Sequence, residues 1–328
     1  MSDVVVVFTG GTISMGFDPV AGGNVPALDG EAILARTPGL ERIARVVPVD
    51  AGLTPASHLA FADLARLWKV IDARLAEPGV AGVVVVQGTD TIEETAFAWD
   101  LRHAGAKPVV VTGAMRASHE EGYDGPANLI DAVTVAAAPE ARDIGVVVTL
   151  AGTMEPADDV TKTHTTSFTT FRSLNAGSLG RVVDGTVVMD RARGPRRHVP
   201  GYGDAASRVH LVTAGIGTDG ALLDAAVAAG AEGIVVAATG SGNTSPGLLA
   251  AAERAMRAGI PVVLASRCPS GAVGTAYAFP GGGATWVRAG AIPAGTLCAI
   301  KARVALAYGL GAALGRDALA ALLADPLP

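Results

Sequence analysis

The residues of this chain best equipped for chemistry are a few hydroxyls, one carboxylate and one lysine. Thr12 follows two glycines in TGGTI at 9–13; Thr89 and Asp90 follow Gly88 in GTDT at 88–91; Lys162 sits within DVTKTHTT at 159–166. A threonine hydroxyl is a weak nucleophile until a base withdraws its proton, and a lysine desolvated among neutral hydroxyls can be that base. The chain has four lysines against 21 arginines. Lys162 is therefore kept where arginine was the easy alternative, and arginine does not give up its proton. The chemistry open to such a set is attack by an activated hydroxyl.

The elements around these residues would place them together. Residues 83–86 are four valines, a β-branched run suited to a strand buried on both faces of a parallel sheet. A helical pattern follows at 92–99, so the GTDT turn falls at the carboxyl end of a central strand, where open α/β sheets bind ligands. The N–H groups of that helix start favour a negative ligand group. The plain alternative is that Asp90 or Thr91 caps the helix, with Glu93 and Glu94 in its first turn. A second turn of the same kind changes that balance: residues 4–8 (VVVVF) run into TGGTI. Two hydroxyl-bearing, glycine-loosened turns after two valine strands are expected to form two walls of one site.

Composition bounds the rest. At 328 residues the chain allows one large or two medium domains. Half the residues are apolar, but no run reaches the length of a membrane span, and no signal or transit peptide is visible. Cys268 and Cys298 make neither a disulfide framework nor a metal-binding spacing. The group His119, Glu120, Glu121 and Asp124 reads as a solvated loop. A soluble, cytoplasmic protein with no metal and no cofactor is expected. A net charge of −6 without a basic cluster argues against nucleic acid; the densest basic stretch, Arg193, Arg196 and Arg197, lies in a Pro/Gly-rich linker.

Along the chain, residues 14–26 (SMGFDPVAGGNVP) read as a glycine-rich loop without apolar periodicity, either a lid over the site or a plain surface loop. A short helix is expected at 31–36 and a strand at 45–49. Ser57 then precedes an amphipathic helix ending near Leu75, as its N-cap or as a ligand-facing hydroxyl. Strands at 108–112 and 144–150 flank a helix at 127–138, and Asp184-Gly185 makes a hairpin turn. This alternation means an α/β fold with a doubly wound, mostly parallel sheet. The domains are expected at 1–190 and 209–328, joined by a linker at 191–208. In the second, strands are expected at 209–213, 233–238 and 261–266, helices at 220–229, 246–258 and 298–313, and a loop at 281–283.

Five motifs carry a resemblance. TGGTI, GTDT, GAMR at 113–116, DGPANL at 124–129 and DVTKTHTT stand in the order and spacing of the bacterial-type L-asparaginases, the asparaginase/glutaminase family. The chain resembles that family over nearly its whole length. The resemblance implies a larger N-terminal and a smaller C-terminal α/β domain, and hydrolysis of the side-chain amide of L-asparagine to L-aspartate and ammonia. It implies Thr12 as nucleophile and Thr89, Asp90 and Lys162 as the second catalytic cluster. Ser57 would hold the substrate α-carboxylate, Asp90 its α-ammonium, and Ala114 would contribute backbone. Gly11, Gly88 and His58 would line the pocket, and Asn243 would reach a neighbouring subunit's site in a homodimer or homotetramer. The partner is then a small amino-acid amide, with neither nucleic acid nor membrane involved.

The pattern is not followed throughout. Val25 stands where a lid tyrosine is often found, Tyr277 and Ala278 lie where some members carry a C-terminal-domain acid, and His58 replaces a glutamine. A glutaminase, a D-amino-acid amide hydrolase or a non-catalytic amino-acid sensor of the same fold therefore stay open. A dinucleotide dehydrogenase is discounted, since neither glycine turn has G-x-G-x-x-G spacing.

Overall fold

Parallel valine strands dominate the first of two units into which the chain divides, residues 1–194 and 195–328. The structure, a computed structural model, describes residues 2–199 and 204–325. In chain order the first unit contains β1 (Asp3–Phe8), β2 (Met15–Asp18), β3 (Gly23–Pro26), α1 (Gly30–Ala35), β4 (Arg45–Asp50), α2 (Phe61–Leu75), β5 (Val80–Val86), α3 (Ile92–Asp100), β6 (Val109–Thr112), α4 (Gly125–Ala137) and β7 (Val146–Leu150). Five short strands follow: β8 (Thr153–Pro156), β9 (Val160–Lys162), β10 (Phe171–Ser173), β11 (Gly180–Val183) and β12 (Thr186–Met189).

The main sheet has eight strands in the order β12-β11-β8-β7-β6-β5-β1-β4. From β4 to β7 they are parallel; β8, β11 and β12 extend the sheet antiparallel. Val4, Val6, Phe8, Val84 and Val86 pack in one cluster with Leu129, Ala132 and Val133 of α4, while α2 lies against β5 and α3 against β6 and β7. Helices thus cover both faces, as continuous β-branched runs require. Register decides where the connecting turns emerge. Phe8 pairs with Val86 and Val86 with Thr112, so β1, β5 and β6 end level with one another and their turns leave the sheet along one rim.

The second unit holds β13 (Val209–Thr213), α5 (Ala221–Ala228), β14 (Gly233–Ala238), α6 (Pro246–Arg257), β15 (Val262–Ser266), α7 (Gly283–Ala289), β16 (Ile292–Pro293), α8 (Ala299–Gly311) and α9 (Arg316–Leu323). Its four strands are parallel and in sequence order, β13-β14-β15-β16, over a core that includes Leu223, Leu248, Ala252 and Trp286. Among the described residues no helix is long and apolar enough to cross a membrane.

Two local expectations are corrected. Residues 14–26 are not an irregular loop: β2 and β3 form an antiparallel hairpin, with Gly16 opposite Val25 and Phe17 opposite Asn24. Four-residue strands facing solvent carry too little apolar alternation to be read from sequence. Gly283, expected in a loop, opens α7, whose seven residues are tied to the core by the fully buried Trp286.

Candidate active site

Three glycines let the rim turns touch. A Cβ built on Gly11 would lie 2.1 Å from the backbone nitrogen of Gly88, and Gly11 itself has φ of +98°. A Cβ on Gly113 would lie 2.4 Å from the carbonyl oxygen of Gln87. No side chain fits at either place. The turn after β4 joins them: the Ala56 methyl would meet a Cβ on Gly88 at 3.0 Å, and Thr91 Oγ1 donates to the Ala56 carbonyl at 3.1 Å. The turns after β1, β4, β5 and β6 therefore form one backbone cluster, which brings the stretches carrying Thr12, Ser57, Thr89 and Ala114 to a single rim.

At that rim Thr89 is buried, and Lys162 donates from Nζ to Thr89 Oγ1 at 3.0 Å and to Asp90 Oδ1 at 3.4 Å. Lys162 is the last residue of β9, held by pairing with Phe171 of β10. Its side chain is 17% exposed, whereas that of Asp90 is 66% exposed. An ion pair that open contributes only about 0–1 kcal/mol, so the arrangement is better understood as directing Lys162 onto the Thr89 hydroxyl than as a stabilising bridge. Asp90 is thus aimed at Lys162 rather than capping α3. Thr91 occupies the N-cap position, but its side chain makes no cap bond.

Thr12 opens a one-turn 3-10 helix, Thr12–Ser14, and is half-buried; its hydroxyl makes no hydrogen bond among the described residues. Ser57 and His58 are exposed on the 3-10 turn Ala56–His58. Ser57 is not the N-cap of α2, a position held by Ala60, whose N–H donates to Asp63 at 3.0 Å. The N–H groups of Gly11 and Gly88 have no acceptor among the described residues. Asn243 belongs to the second unit, where its N–H donates to the Thr239 carbonyl at 2.9 Å and its Oδ1 accepts from Gly283 N–H at 3.4 Å.

Behind the rim lies a frame that sequence reasoning did not assign. The Asp124 carboxylate accepts from the N–H groups of Met115 and Arg116, each at 3.0 Å, and from Asn128 Nδ2 at 2.9 Å. Asn128 also donates to the Gly113 carbonyl and accepts from Ala151 N–H, both at 3.0 Å. The DGPANL motif thus fixes the backbone on both sides of Ala114. Tyr123 donates its phenol to the Ile13 carbonyl at 2.9 Å. Burial pushes that phenol up to about 12, opposed by the Arg36 charge and helped by Asp124.

Arg193 completes the frame. Read from sequence as part of a basic linker, it is buried between Asp100 at 3.0 Å and Asp158 at 2.6 Å. Desolvation works against its charge, but the two carboxylates outweigh it and hold the guanidinium above its ordinary value. Asp100 ends α3, which begins just after Asp90, and Asp158 lies four residues before Lys162. The arginine thus rivets together the two supports of the Lys162–Thr89 contact. The one signal in the sequence was a carboxylate, Asp100, closing the apolar second half of the helix, Ala96–Trp99. Arg197 is also buried and pairs with Asp325 at 3.0 Å within the second unit.

Comparison with known proteins agrees with this architecture. The sequence matches the family profile "Asparaginase, N-terminal" over residues 3–194 and "Glutaminase/Asparaginase C-terminal domain" over 208–323. It is 36% identical to a probable L-asparaginase of Deinococcus radiodurans, covering 96% of this chain and 94% of that protein. It is 34% identical to L-asparaginase 2 of Escherichia coli, over 94% and 89% of the two chains. A crystal structure of a probable cytoplasmic L-asparaginase from Campylobacter jejuni superposes with a TM-score of 0.87 at 28% identity, covering 98% of this chain and 99% of the other. The chain belongs to the asparaginase family.

Proposed function

We propose that this protein is an amidohydrolase that converts L-asparagine to L-aspartate and ammonia in the cytoplasm, working as a homodimer or homotetramer. The observation that carries the reading is the 3.0 Å hydrogen bond from Lys162 Nζ to the buried Thr89 hydroxyl, set beside a Thr12 hydroxyl left free on the adjoining turn. In the first half-reaction Thr12 Oγ1 attacks the amide carbon; its proton passes to the leaving nitrogen, the C–N bond breaks and ammonia departs. An ester to Thr12 remains. Water then adds to that ester, gives a proton back to Thr12 and releases aspartate, with Thr89 and Lys162 relaying the proton. The free N–H groups of Gly11 and Gly88, with backbone at Ala114, meet the oxyanion; losing one such donor typically costs about 3 kcal/mol of transition-state stabilisation.

Ser57 holds the substrate α-carboxylate, His58 flanks it and Asp90 takes the α-ammonium, which its exposure leaves room for. Asn243 serves the site of a neighbouring subunit. Glutamine is the second reading, supported by the glutaminase/asparaginase match over the C-terminal residues. One extra methylene shifts discrimination by only about 1–3 kcal/mol, so a measurable glutaminase rate is expected beside the main one.

Ammonia release from L-asparagine, L-glutamine and their D-forms tests the proposal, with kcat/KM expected to be highest for L-asparagine. A purified oligomer that binds aspartate in a calorimeter yet releases ammonia from none of the four would be a sensor instead.

A further inference from the structure

The 3-10 turn bearing Thr12 is held at both ends by side chains. At its start, Ser14 donates both its N–H and its hydroxyl to the Gly11 carbonyl, at 2.9 and 2.7 Å. On its far side, the carbonyl immediately after Thr12, that of Ile13, accepts the phenol of Tyr123 at 2.9 Å. The next carbonyl but one, that of Met15, accepts from Ser118 through its hydroxyl at 2.8 Å and its N–H at 3.2 Å. Beyond it the β2–β3 hairpin runs out to a tip where Val20 is 95% exposed.

Thr12 itself thus has no side-chain partner among the described residues, while the backbone around it is clamped from residues 118–123. A β-branched side chain has few χ1 choices, so backbone position sets where its hydroxyl points. The phenol reaches Ile13 because residue 125 is glycine: a Cβ there would lie 2.3 Å from Tyr123 Oη. Val25 on the hairpin offers no hydroxyl that could take over the task.

We propose that Tyr123 is a positioning residue for Thr12: its phenol pins the carbonyl that follows the nucleophile and so fixes the direction from which the hydroxyl attacks. The inference rests on Thr12 being the nucleophile. Ser118 acts one step further out, on the hairpin base at Met15. Misplacing a reacting group by an ångström costs up to about 10²-fold in rate; loss of one of several clamps should cost less.

The test is steady-state ammonia release from L-asparagine by Tyr123→Phe, which deletes one oxygen and keeps the ring. The expected result is a kcat lower by about tenfold, with KM, aspartate affinity and the shape of the pH–rate profile within about twofold of wild type. In a Thr12→Ser background, where the less restricted side chain can reorient, the same change should cost less than about threefold. A folded Y123F whose kcat stays within about twofold of wild type overturns the inference, as does a rate loss that appears only as raised KM. Thr12→Ala separates the two readings. If it keeps wild-type activity the nucleophile assignment fails; if it is inactive while Y123F is normal, only the role of Tyr123 fails.

Discussion

Gly11 and Gly88 lie back to back between the turns that follow β1 and β5, so close that a Cβ on the first would fall 2.1 Å from the nitrogen of the second. This contact brings the turns after two separate valine strands together at one rim. Each glycine is one residue before a threonine; at Gly11 no side chain fits, whereas a Cβ on Gly88 would press on the Ala56 methyl at 3.0 Å.

Gly11→Ala should therefore be severe. Its φ of +98° with ψ of −175° lies where essentially only glycine is found, straining any L side chain by roughly 1–3 kcal/mol, and the collision adds an overpacking cost of about 1–3 kcal/mol. Gly88 has an ordinary φ of −64°, and its nearest neighbour would be 3.0 Å away. Gly88→Ala should cost less than about 2 kcal/mol while still depressing turnover. Thermal melting and ammonia release on both variants check this. A Gly11→Ala protein with wild-type Tm and rate would mean the turns do not meet.

Arg193 offers a stability test that leaves every proposed reacting residue untouched. Arg193→Met takes the guanidinium away from Asp100 and Asp158, and breaking a buried pair from one side costs about 3–5 kcal/mol. Denaturant titration should show a loss of that size, partly recovered when Asp100→Asn and Asp158→Asn are added. A loss below about 1 kcal/mol would show that the arginine does not tie the two segments together.

These two cases also mark how far the sequence could be read. Runs such as Val4–Val7 and Val83–Val86 announce buried parallel strands through β-branching alone, and Asp184-Gly185 announces its hairpin; the φ values there are +50° and +72°. The rim position of Thr12, Thr89 and Asp90 follows from those strands. The role of Arg193 does not, because its partners lie 93 and 35 residues away and only the fold brings them together. Tyr123 was hidden for the same reason, being 110 residues from Ile13. The β2–β3 hairpin escaped because short, solvent-facing strands have little periodicity to reveal.

Tyr123 should leave a signature at high pH. Its phenol is held at about 12 in the folded protein against an ordinary 10.0. A raised value means the folded state keeps the proton longer, so the contribution is fully present below about pH 10 and is lost as pH climbs from 10 towards 12. Stability measured by urea titration at about pH 9, 10 and 11 should fall, and Tyr123→Phe should flatten that part of the decline. Identical slopes for both proteins would contradict it.

The most direct test of the central claim is the turnover of Lys162→Met on saturating L-asparagine, beside the wild type and with aspartate binding as a check on the fold. Methionine keeps the length of the side chain and removes the group that contacts Thr89 Oγ1. The account predicts a kcat lower by roughly 10²–10⁴-fold, the range typical for loss of a positioned acid–base group, with aspartate still bound. A folded variant that releases ammonia at the wild-type rate would contradict it.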